Sequence, residues 1–106
     1  MSIYQTGYVS LIDAIVDMQE RGFFLDFCLI GNRLLCAQQK VFLQPEEFDI
    51  LEMYRFHGDG HDQEETIVYG IESPNHSMRG ILLRNDIGKK TSIPSVITRK
   101  IRKFWV

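Results

Sequence analysis

The sequence predicts an α+β fold: an antiparallel sheet of about five strands in meander order, with an N-terminal helix and a short C-terminal helix packed on one face. Three observations predict it. Leu11, Ile12, Ile15, Val16 and Met18 recur at three- and four-residue spacing, the helical period. Residues 23 to 37 read as a hairpin about Gly31-Asn32. Residues 50 to 71 hold two β-rich apolar runs on either side of a polar loop, Gly58 to Glu65. The chain has 106 residues, enough for a single α+β domain around one core.

Taken in order, Ser10 is the expected N-cap of a helix running to about Arg21. Asp13 sits in its first turn, Arg21 in its last, and Gly22 ends it. In the first hairpin a two-residue turn sets Ile30 opposite Arg33, Leu29 opposite Leu34, Cys28 opposite Leu35 and Phe27 opposite Cys36. That register gathers Phe23, Leu25, Phe27, Leu29, Leu34 and Cys36 on one face and leaves Asp26 and Arg33 on the other. A three-residue turn would put Cys28 across from Cys36 but mixes the faces, so two reduced thiols are expected, with Cys36 buried. Val41-Phe42-Leu43 returns the chain to the core, and Pro45-Glu46-Glu47-Phe48 reads as a single helical or 3₁₀ turn.

In the central hairpin, alternation puts Ile50, Tyr54 and Phe56 on one face and Leu51, Met53, Arg55 and His57 on the other. On its partner Ile67, Tyr69 and Ile71 oppose Val68 and Gly70. Both faces carry apolar residues, which places this hairpin in the middle of the sheet. Residues 73 to 77 are a turn by composition and residues 80 to 84 a last strand. Ser92 or Ser95 caps a final helix with Pro94 near its first turn and Ile93, Ile97, Ile101 and Phe104 or Trp105 on its apolar side.

The composition, 44% hydrophobic and 25% charged, excludes wholesale disorder. The apolar run Phe23 to Ile30 is broken by Asp26 and falls short of the ~18 residues a membrane span requires. With no basic stretch ahead of an apolar one, a cytoplasmic location is expected, without a membrane partner. The net charge of −2 hides an asymmetry: residues 46 to 72 carry nine acids and one base, residues 85 to 106 six bases and one acid. Either the two regions meet separate partners or the tail neutralises the acidic elements. Nucleic acid is disfavoured, because the final helix holds only four bases, its stripe is apolar enough to dock on the sheet, and the domain as a whole is slightly acidic.

The candidate metal ligands are His57, Asp59, His61 and Asp62, with Glu64 and Glu65 beside them. Imidazole and carboxylate together suit zinc, manganese or nickel. The spacing fits neither a calcium loop, which needs Asp or Asn where His61 and Gln63 stand, nor a zinc-protease helix. A solvated loop whose acids keep the sheet soluble is the plainer reading of the same residues. Arg55 and Arg79, with Arg84, are candidates for holding a phosphate or carboxylate by paired hydrogen bonds; pairing with Glu52 or Glu72 across neighbouring strands is the plainer alternative. Neither a Gly-rich phosphate loop nor a Ser-His-Asp arrangement is present, and no catalytic residue is assigned.

Gly22-Phe23, Asp26-Phe27, Pro45-Glu46-Glu47-Phe48, Tyr54-Arg55-Phe56-His57-Gly58-Asp59 and Ile67-Val68-Tyr69-Gly70-Ile71, followed by Gly80, resemble a family of short bacterial proteins commonly labelled phosphoribosylpyrophosphate synthetase. The resemblance runs from about residue 10 to residue 84. It does not imply the synthetase activity. Enzymes that carry out that reaction are far longer and have a metal–ATP flag region and a ribose-phosphate loop, and no stretch here matches either. His57 stands where the family tends to have Glu, so the acid-rich loop is the shared feature.

Two functions are therefore expected. One is a non-enzymatic interaction or regulatory module, including a homodimer that covers an edge strand or the second face of the sheet. The other is a small-ligand protein that takes a divalent metal, phosphate or sugar phosphate at the acidic hairpin tip. Apart from that ion, no cofactor is expected.

Overall fold

The computed structural model describes residues 10–57, 64–87 and 95–104. Its elements run α1 (Leu11–Glu20), β1 (Leu25–Ile30), β2 (Arg33–Cys36), β3 (Val41–Leu43), β4 (Asp49–His57), β5 (Glu64–Ser73), β6 (Met78–Ile87) and α2 (Ser95–Ile101). Single 3₁₀ turns lie at Pro45–Glu47, Pro74–His76 and Arg102–Phe104. The fold is α+β. Among the described residues no helix is long and apolar enough to cross a membrane.

Local sequence decides much of this. The Asp13 amide donates to the Ser10 hydroxyl at 3.2 Å, so Ser10 caps α1, and Gly22 leaves the helix at φ +107°. The first hairpin has the expected register in full, from Phe27 opposite Cys36 to Ile30 opposite Arg33. Cys28 is exposed and Cys36 buried, both as free thiols.

The order of the strands departs from a meander. Among the described residues the sheet has six strands, counting the short β3, in the order β3-β2-β1-β6-β5-β4. It is two three-stranded meanders joined where β1 runs parallel to β6, with Leu25 beside Gly80 and Phe27 beside Leu82. The hairpin of β4 and β5 therefore ends the sheet, and β4 is an edge strand. A bulge between Ile50 and Glu52 also shifts the faces of β4. Ile50 joins Met53 in one cluster, while Tyr54 and Phe56 belong to the other.

Only residues 44 to 48 connect the two edge strands. Six flat strands spaced ~4.8 Å apart would hold their edges ~24 Å from each other. The six Cα steps from Leu43 to Asp49 reach at most ~22 Å even when fully extended, and the Pro45–Glu47 turn shortens them further. The sheet must curl. Its concave side encloses the larger core, in which Leu34, Cys36 and Leu43 meet Phe48, Ile50, Met53, Ile67, Tyr69 and Ile71.

The helices lie on opposite faces rather than on one. Ile97 and Ile101 of α2 enter the concave core. Met18 of α1 and Phe23 belong to a second cluster with Tyr54, Val68 and Ile81 on the convex side. Phe23 leaves the face expected of it because it precedes β1 and turns under α1. The basic helix docks near acids, as the charge asymmetry allowed: Lys103 pairs with Asp49 at 3.0 Å, and Lys100 donates to the Phe48 carbonyl at 2.7 Å. Burial draws the Lys100 pKa below its usual value.

Candidate functional site

Among the described residues, only half of the convex face is covered. A six-stranded sheet is wider than ~24 Å, whereas a helix with its side chains is ~10–12 Å across. One helix shields about two strands. Glycine helps decide which: Gly70 on β5 leaves a notch for Met18 and Phe23, and a Cβ there would lie 2.9 Å from Met18 Cε. The C-terminal end of α1 is then tied toward the β4 edge. Arg21 donates from Nη1 and Nη2 to the two Glu52 oxygens at 2.6 and 2.7 Å, and from Nε to Asp17 at 2.8 Å. The Tyr54 hydroxyl also donates to Glu52, at 2.5 Å.

Arg79 completes this clamp. Its guanidinium lies 4.2 Å over the Phe23 ring, donates to the Arg21 carbonyl at 3.3 Å and faces Glu72 at 3.5 Å. Burial raises the Glu52 carboxyl, but the hydrogen bonds from Arg21 and Tyr54 and the charges of Arg21 and Arg79 outweigh it, so its pKa falls below the usual 4.5. A carboxyl lowered in this way adds stability above its unfolded pKa and loses it as pH falls through the folded one. Arg21→Ala is expected to cost about 1 kcal/mol near neutrality, a modest figure because the pair is partly solvated. The gap between wild-type and variant melting temperatures should close as the pH drops below 4.5. A gap that persists unchanged in acid would show that the Glu52 carboxylate is not what the arginine holds.

Among the described residues the β1–β3 half of the same face has no such cover. Cys28, Leu35 and Phe42 stand in one cross-strand row. Continuing the parallel register by one residue from Phe27 and Leu82 brings Leu83 beside Cys28. Phe42 is 40% exposed and Leu83 47%, with Ile30 similarly open at the strand end. The Arg33 guanidinium lies flat on the row, 4.2 Å over the Phe42 ring. α1 adds a wall to this floor. At ~100° per residue, Arg21 and Ile15 fall on opposite flanks of Met18, and Arg21 reaches toward β4. The Ile15 flank therefore points toward β1. Ile12 and Val16 lie further round, on the side of α1 that faces away from the sheet, and Ile12 is 71% exposed. The apolar stripe read from the sequence is thus buried only at Met18, with Leu11 and Ile15 half-buried and Ala14 buried in place of Ile12 and Val16.

The structure separates the predicted ligand-binding residues. Arg55 pairs in register with Ile67 on the concave face, whereas Arg79 lies on the convex one beneath α1. Arg79 takes the Glu72 partner expected for it, while Glu52 is held by Arg21, a pairing between positions 31 apart that no local pattern signals. His57 ends β4, opposite Glu65. Asp59, His61 and Asp62 lie outside the described residues, as does most of the acidic tip. Among the described residues no group of three or more His, Cys, Asp or Glu is placed to hold a metal ion. At the Pro45–Glu47 corner, the Glu47 carboxylate accepts from the Gln44 amide at 2.7 Å and meets His76 Nε2 at 2.8 Å. These two hydrogen bonds lower its pKa, the backbone one foremost.

Compared with protein-family models, curated proteins and solved structures, the chain matches none. The reading of its site rests on its own residues.

Proposed function

We propose that this protein is a non-enzymatic interaction module whose working surface is the uncovered half of its convex face. The observation that carries the reading is the row Phe42, Leu35, Cys28 and Leu83, in which Phe42, Cys28 and Leu83 are exposed and Leu35 is half-buried. Single exposed apolar side chains are ordinary on a protein surface. A contiguous row across four strands, with an apolar helix flank beside it, is the kind of patch that marks an association site. Its composition also suits a protein partner: Leu35, Cys28 and Leu83 run in from an aromatic end, where an arginine lies over the Phe42 ring.

Site-specific photocrosslinking tests this. A photoreactive phenylalanine analogue in place of Leu35 or Leu83 should give protein adducts in the living cell. The same analogue in place of Asn75, in the exposed 3₁₀ turn away from the row, should give none. If no protein adduct forms from either Leu35 or Leu83, the face is not an interaction surface.

A further inference from the structure

We infer that the occupant of this face is a second copy of the same chain, with α1 of each copy laid across the β1–β3 half of the other. The inference rests on the interaction reading above and gives that surface its partner.

Complementarity favours it. The outward side of α1 carries two open apolar residues, Ile12 and Val16, among exposed Asp13 and Glu20. The uncovered strands offer the converse, an apolar floor of Cys28, Leu35, Phe42 and Leu83 with Arg33 at one end of β2 and Lys40 exposed past its other end, at the β2–β3 turn. Asp26, the acid on the same stretch of β1, is already held by the Gln38 amide at 2.8 Å. The acidic residues of the helix and the basic residues at the two ends of the floor therefore attract each other, and the apolar residues between them meet. One molecule holds both halves of this pair but cannot join them, because its own α1 is fixed over β4–β6 by Arg21, Glu52 and the Gly70 notch.

Symmetry then adds to the area. A ten-residue helix is only ~15 Å long, so a single helix docking one way covers little. A twofold pair makes the contact twice, which moves the buried surface toward the ~800 Å² per partner of a stable interface. It is also self-complementary in the manner of an isologous interface, with the same helix and the same strands contributed by both copies. The curl of the sheet assists, since two convex faces that touch leave a wedge on each side and each α1 fills one.

Sedimentation of the purified full chain tests the pair. Wild type at high micromolar concentration should run as a dimer. Ile12→Asp, on a side chain largely in solvent, should weaken it by roughly thirtyfold or more while leaving the circular dichroism spectrum unchanged. Arg33→Glu and Glu20→Arg should each weaken the dimer, and the double variant should recover it in part. A wild-type monomer at these concentrations would overturn the inference, and so would a dimer indifferent to Ile12→Asp and to both charge reversals. The photocrosslinks separate this failure from that of the broader reading: adducts from Leu35 positions to a different protein would sink the self-pairing and leave the interaction surface standing.

Discussion

Deleting residues 97 to 106 is expected to unfold the domain rather than trim it. Ile97 has no solvent exposure and Ile101 has 3%, and both belong to the cluster that fills the concave side of the sheet. Truncating one buried isoleucine to alanine costs about 2–5 kcal/mol, and the total stability of a small domain is about 5–15 kcal/mol. Loss of both side chains, with the helix that carries them, removes a large share of that total. It also exposes Phe48 and, on the edge strand β4, Ile50 and Met53. The truncated chain should lack a cooperative thermal transition by circular dichroism. Lys103→Ala is the control: its pair with Asp49 is half in solvent, so the variant should melt within a degree or two of wild type. A truncated chain that melts like the full one would mean that α2 contributes nothing to the core.

Gly80→Ala is expected to be the most damaging substitution by a single methyl group. Gly80 faces Leu25 where β1 and β6 run parallel, the seam between the two meanders. A Cβ at this position would collide with the Leu25 carbonyl oxygen and lie 2.7 Å from Phe27 Cε2. The first obstacle is backbone and cannot rotate away, so the strands must separate. Overpacking of this kind costs about 1–3 kcal/mol and sometimes more. Gly70→Ala is the informative comparison. Its closest obstacle is Met18 Cε at 2.9 Å, the far end of a flexible side chain. Urea midpoints should therefore fall further for Gly80→Ala than for Gly70→Ala. The reverse order would imply that the parallel seam yields more readily than the bed of α1.

Relief of the Gly70 clash also bears on the convex face. Gly70 sets how closely α1 seats over β5, and the seat of α1 determines which strands remain open. A variant that lifts the helix should disturb the proposed self-association as well as stability. Arg21→Ala, which frees the same C-terminal end of the helix from Glu52, acts on that element through charge instead of shape.

Where the information is local, the chain was readable without its structure. Ser10, Asp13 and Gly22 mark the ends of α1, and Gly31-Asn32 sets the register of the first hairpin, because caps and two-residue turns are decided by a few adjacent residues. The alternation of Ile67, Tyr69 and Ile71 against Val68 and Gly70 gave the two faces of β5 in the same way. The candidate arginines were visible as residues but not as a pair, since strand parity alone does not say that Arg55 and Arg79 end on opposite faces. Nor did apolar spacing show that Ala14, not Ile12 or Val16, would be the buried partner of Met18.

Neighbouring residues encode the elements, their caps and the short-range pairings that make an α+β domain. Tertiary structure alone decided the parallel seam between residues 25–27 and 80–82, the bulge at Ile50/Glu52, the pairing of Arg21 with Glu52 and the placing of the helices on opposite faces. Each depends on contacts between residues far apart in the chain, whose closure no local propensity encodes. The uncovered row of Phe42, Leu35, Cys28 and Leu83 belongs with them: every residue in it was legible, but only the curl of the sheet and the seat of α1 left most of that row in solvent.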